Sequence, residues 1–166
     1  MDSRAILIEL PRLRRYARAM LGDRVAADDL VQDTLERAWS RVGQWRVGSD
    51  LRAWLFSIMH NLRVDQLRRP SLRTESIDET HDELPTRATQ SDQLEVMDIA
   101  SALRQLPEEQ REVLLLVALE EMSYADIAAA LGVPIGTVMS RLSRGREKLR
   151  LIMAGRSPGA NLRVVR

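Results

Sequence analysis

Cysteine is absent from this chain, so neither a disulfide nor a thiolate metal site can hold it together. Aromatic residues are scarce at 4%, which disfavours a large sheet sandwich and favours helices rich in Leu, Ala and Val. Lys148 is the only lysine, so nearly all positive charge is arginine. No apolar run is long enough to span a bilayer, and no charged-then-apolar leader opens the sequence. The expectation is therefore a protein without membrane insertion that works in the cytoplasm. His60 and His81 have no second histidine or carboxylate at metal spacing and read as ordinary residues. There is no nucleophile with a paired base and no glycine loop to cradle a phosphate, so neither an enzyme nor a cofactor is expected.

What is present is a chain of 166 residues, 45% hydrophobic and 30% charged. Such a chain folds, as one medium domain or two small ones. Its net charge is only +1, but the charges are segregated. Positive charge gathers at Arg12, Arg14, Arg15 and Arg18, at Arg63, Arg68 and Arg69, and from Arg141 to Arg156. Negative charge gathers between Glu75 and Glu95. A polarised molecule is compatible with a nucleic-acid partner despite the small sum.

Residues 71–92 break every apolar period with Ser, Thr and Pro and carry six acids against two arginines. They read as a flexible acidic linker. The expected organisation is all-α: a helical unit over 1–70, the linker, a second helical unit over 93–156 and a tail over 157–166. In the first unit, one helix carries Ile6, Leu7, Leu10, Leu13, Ala17 and Leu21 inward and stops near Gly22. A second begins near Ala26, and its polar face presents Asp29, Gln32, Asp33 and Glu36 together. Ser49 or Asp50 caps a third, on which Trp54 falls inward and Asp65 sits near the apolar face, where an internal Arg partner is expected. In the second unit, Val96, Ile99, Leu103 and Leu106 mark a helix ended by Pro107, and another runs from Glu108 to Leu119.

The segment from Ser123 to Arg150 carries the most chemistry. Ser123 caps a short helix, with Asp126 three residues on, and Gly132 supplies its left-handed end. Pro134 suits the start of the next helix. There Val138, Leu142, Gly145, Leu149 and Ile152 form one stripe, while Thr137, Ser140, Arg141, Arg144 and Lys148 fall away from it. A charged outer face is often merely solvated. The short turn and a basic run interrupted only by Glu147 instead suit a recognition helix in a major groove.

Together these segments resemble the small bacterial sigma factors of the extracytoplasmic-function type. The resemblance rests on Ala27-Asp28-Asp29-Leu30-Val31-Gln32-Asp33, on Trp54-Leu55 with Asn61 and Asp65, on Leu106 to Leu114, on Ser123 to Ala128 and on Gly136 to Leu142. It implies that Asp29, Gln32, Asp33 and Glu36 face core RNA polymerase. It further implies that Trp45, Arg46, Val47 and Asn61 capture the minus-ten promoter element as single strand. The helix from Ile135 would then read the duplex minus-thirty-five element. An anti-sigma partner is implied as well, and Ala27 to Arg37 and Leu51 to Leu62 are similar to stress-response members. Met139 departs from the pattern, standing where the family often has a basic residue. Two other readings compete: a sigma-like decoy, which would have a degraded basic face, and a dimeric repressor, which would need a self-complementary interface.

Overall fold

The computed structural model describes residues 3–69 and 98–156. The expected linker and tail lie outside them, as does Val96. The described residues form α1 (Ser3–Leu21), α2 (Arg24–Ser40), a 3-10 turn (Val42–Gln44), α3 (Leu51–Arg68), α4 (residues 98–104), α5 (Glu108–Ala118), α6 (Tyr124–Leu131) and α7 (Ile135–Arg156). No strand occurs among them. The all-α expectation holds.

Short polar side chains decide where the helices start. Asp23 accepts the amide of Val25 at 3.0 Å, so α2 begins two residues before the expected Ala26. Asp50 accepts the amides of Arg52 and Ala53 at 3.0 and 3.3 Å and opens α3. Ser123 Oγ accepts the Asp126 amide at 3.1 Å and opens α6. Each such cap contributes on the order of 1 kcal/mol. Gly22 and Gly132 end α1 and α6 at φ of +68° and +67°, where a Cβ would be strained.

The first unit buries Leu13, Ala17, Met20, Leu30, Leu35 and Leu55, and Tyr16 meets Phe56 edge-on with centroids 4.9 Å apart. In the second, α5 lies on α7 and α6 on both. Gly145 lets α7 approach α5 closely, because a Cβ there would stand 3.3 Å from Gln110 Cβ. Each fully buried Leu, Ile or Val contributes roughly 1.5–3 kcal/mol.

Several inward assignments fail. Leu7 and Ile99 are exposed, because the apolar stripe of each helix is narrower than its apolar residues. Asp65 is exposed on the α2–α3 side and has no internal arginine. Trp54 is partly buried against the core, as expected.

The two units dock on each other, α1 against α5 and α3 against α6, and their buried residues join in one core. Polar pairs rim this junction. Arg15 Nη2 donates to Leu119 O at 3.0 Å and to Glu120 Oε1 at 3.3 Å. His60 Nδ1 lies 2.8 and 3.0 Å from the Glu112 carboxylate oxygens, so His60 is not the ordinary residue its sequence context suggests. Arg63 Nε donates to Glu108 Oε1 at 2.8 Å. Arg104 reaches back to Gly22 O at 3.3 Å, and Arg111 to Met20 O. Burial pushes the Tyr16 phenol well above its ordinary value of 10.0, and Glu112, Glu108 and Glu120 push the same way. Burial also lowers the Arg111 guanidinium from its usual range, against the pull of Glu108.

Candidate nucleic-acid interface

α6 and α7 meet at 106° across a short turn, within the roughly 90–120° of DNA-binding helix-turn-helix pairs. The turn arises locally: Gly132 reverses the chain, and Pro134 O receives the amides of Thr137 and Val138 at 3.0 and 3.3 Å. Pro134 thus stands just before the first helical residue, one position earlier than the sequence suggests. Val138, Leu142 and Gly145 are buried, and Leu149 and Ile152 partly so. The remaining sides of α7 are free to meet a partner.

The five residues expected on that face are not equally available. Arg144 and Lys148 are exposed. Thr137 and Ser140 are partly buried, and Ser140 Oγ donates to Thr137 O at 3.1 Å. Arg141 is only 21% exposed and stands 3.7 Å from Glu109 of α5. It is therefore pre-oriented by an acid rather than free. The other flank carries Ile135, Met139, Ser143, Arg146 and Arg150, of which Ser143 went unnoticed in the sequence. With Tyr124, Leu142 and Glu147, all but Ile135 line a shallow groove of about 440 Å³. Projection of the helix would have found them, since Met139, Ser143, Arg146 and Arg150 are three or four residues apart. Arg150 is held by Glu147 at 2.7 Å, which lowers the Glu147 carboxyl below its ordinary range by hydrogen bonding.

In the first unit, Arg46 and Asn61 are exposed and Val47 is 90% exposed. The loop is shaped by Ser49, whose Oγ donates to Arg46 O at 2.6 Å. Trp45 is partly buried, and its indole N–H is covered without a partner. A buried unpaired donor of that kind costs about 1–3 kcal/mol. Trp45 is thus seated against the protein rather than displayed as a stacking platform.

Asp29, Gln32, Asp33 and Glu36 all stand exposed on one side of α2. Gln32 Nε2 reaches Glu36 Oε1 at 3.5 Å, the one side-chain contact these four make among the described residues. Beside them, Asp33, Glu36, Arg37, Ser40, Asp65 and Arg69 contribute to an open polar groove of about 340 Å³ between α2 and α3. Among the described residues no single helix is long and apolar enough to cross a membrane.

Residues 6–60 match the family model described as the Sigma2 domain of PhyR, and residues 97–149 match Sigma-70, region 4. The chain is 39% identical over 149 residues to the ECF RNA polymerase sigma factor EcfG of Rhodopseudomonas palustris, covering 89% of the chain and 82% of that relative. It is 34% identical over 153 residues to ECF RNA polymerase sigma factor SigM of Mycobacterium tuberculosis, covering 92% and 76%. Among solved structures, the Bartonella quintana sigma factor RpoE, crystallised with the anti-sigma factor NepR, superposes with a TM-score of 0.75 at 36% identity over 90% of this chain and 94% of that one. CnrH, solved with the cytosolic domain of CnrY, gives 0.69 at 29% identity over 93% and 88%.

Proposed function

The chain belongs to the ECF RNA polymerase sigma factors, which direct core polymerase to promoters, and we propose that its two units divide that work. The first unit, residues 1–70, docks on core polymerase through Asp29, Gln32, Asp33 and Glu36. It captures the minus-ten strand with Arg46, Val47 and Asn61, around a loop that Trp45 anchors. The second unit, residues 93–156, reads the minus-thirty-five duplex with α7. The chain acts without catalysis of its own, in the cytoplasm, within a stress response.

One observation carries this reading: a helix-turn-helix with exposed basic residues at Arg144, Arg146 and Lys148 shares a chain with a four-residue polar face that no neighbour occupies. Phosphate contacts from arginine and lysine position a recognition helix, and base-edge contacts specify the sequence. A degraded basic face, which a decoy would carry, is not what α7 presents. Because the RpoE relative was solved with the anti-sigma factor NepR, restraint of this chain by an anti-sigma factor belongs to the same proposal. Run-off transcription with core polymerase on a genomic fragment library tests it. Discrete transcripts that depend on the added protein are expected. Their absence, with a related sigma factor active in parallel, would refute it.

A further inference from the structure

Three ion pairs that cross the junction all point the same way. Arg15, His60 and Arg63 come from the first unit, whereas Glu108, Glu112 and Glu120 come from the second. Glu112 is 6% exposed and the Glu120 side chain 0%. A carboxylate so deeply buried must be paired, and both find their partner across the junction. Glu120 is the weaker case. Its Oε1 has Arg15 at 3.3 Å, and its Oε2 is buried with no partner at all. The guanidinium that holds it is 55% exposed. The docked state is thus tightly paired at Glu108 and Glu112 and underpaired at Glu120.

Geometry says what docking forbids. Elements ten and thirty-five base pairs upstream lie about 85 Å apart on B-form DNA, at roughly 34 Å per ten base pairs. A compact body of this size has a radius of gyration of about 14 Å. The recognition helix, 22 residues long, spans about 33 Å in all. Docked units can engage one element, never both. The chain between them, at about 3.5 Å per residue, reaches far enough for separation.

We propose that this junction is an intramolecular latch that keeps the factor from spanning a promoter, and that the Arg15–Glu120 contact is its release point. The inference rests on the division of labour proposed above. Whatever withdraws Arg15, a competing acidic group on a partner for example, strands a buried carboxylate and drives the units apart. Neutralising Glu120 removes that penalty.

The test uses the full chain, whose lack of cysteine makes two introduced labels unambiguous. Arg12→Cys and Ala154→Cys, on α1 and near the end of α7, carry a donor and an acceptor dye. Arg15→Ala should lower energy transfer and shift the closed-to-open ratio at least about tenfold, since a buried ion loses its partner. Arg15→Ala with Glu120→Gln should restore transfer. A second, independent pair guards against a local folding fault: Arg63→Glu should open the molecule and Arg63→Glu with Glu108→Arg should reclose it. Unlabelled Arg15→Ala should start more transcripts than the natural chain at limiting protein. Unchanged transfer in both single variants, opening without any gain in initiation, or no rescue in the paired variants overturns the latch. If neither natural chain nor variants initiate, the sigma reading fails instead, and the transfer measurements judge the latch separately.

Discussion

The polar face of α2 and the basic face of α7 are both outward sides of helices, yet their side chains are committed to different degrees. On α2 all four residues stand in solvent, with one long contact between Gln32 and Glu36. On α7, Arg141 faces Glu109 and Arg150 is clasped by Glu147, leaving Arg144, Arg146 and Lys148 exposed without an acid partner among the described residues. A free face is suited to a rigid protein partner that supplies its own charges. A partly held face is suited to a polyanion, because an arginine oriented by an acid loses less entropy when it meets a phosphate.

The largest effect that could break this comparison is Asp33→Arg, which reverses a charge on the free face. Co-purification with core polymerase should fall by at least about tenfold, while circular dichroism stays unchanged, since the Asp33 side chain is exposed. Next, Arg144→Ala should weaken duplex binding several-fold and lower the salt slope by about one unit. Arg141→Ala should do less, because Glu109 already offsets part of its charge and its side chain is only 21% exposed. Equal effects from the two variants would erase the distinction between held and free arginines.

The pH dependence sharpens the contrast between the faces and the junction beneath them. The Tyr16 phenol is raised above 10.0 in the folded protein, so the stability it contributes is complete below pH 10. It is lost as pH rises above that, at up to about 1.4 kcal/mol per pH unit, because only the unfolded chain then releases the proton. Urea titrations across pH 9–11 should show the decline, and Tyr16→Phe should remove its contribution. Gly22→Ala is expected to cost about 1–2 kcal/mol from its left-handed backbone. Its Cβ would also stand 2.5 Å from Arg104 Nε, so the loss should appear as weaker docking as well as a lower melting temperature.

How much of this was legible in the sequence follows from the range of each interaction. Ser123, Gly132 and Asp50 act within three residues of themselves, so their caps could be read directly. The stripe from Val138 to Leu149 was equally plain, since helical periodicity is local. His60 with Glu112, and Arg15 with Glu120, pair across 52 and 105 residues, and no spacing announces such partners. Asp65 shows the opposite error. Its helical phase lay near the apolar stripe, but the stripe on α3 is narrow and leaves it in solvent. The state of Arg141 was hidden for the first reason, because its acid comes from another helix.

Arg111 deserves its own consequence. It donates to Leu103 O at 2.9 Å, Leu106 O at 3.0 Å and Arg104 O at 3.4 Å, folding the α4–α5 corner, and it also reaches Met20 O of α1. One guanidinium thereby belongs to two equilibria at once, the ordering of a corner and the association of two bodies. Linkage makes them reciprocal: an event that loosens the corner must weaken the association by the same free energy. Amide exchange at that corner should therefore report, from within one unit, whether its neighbour is still there.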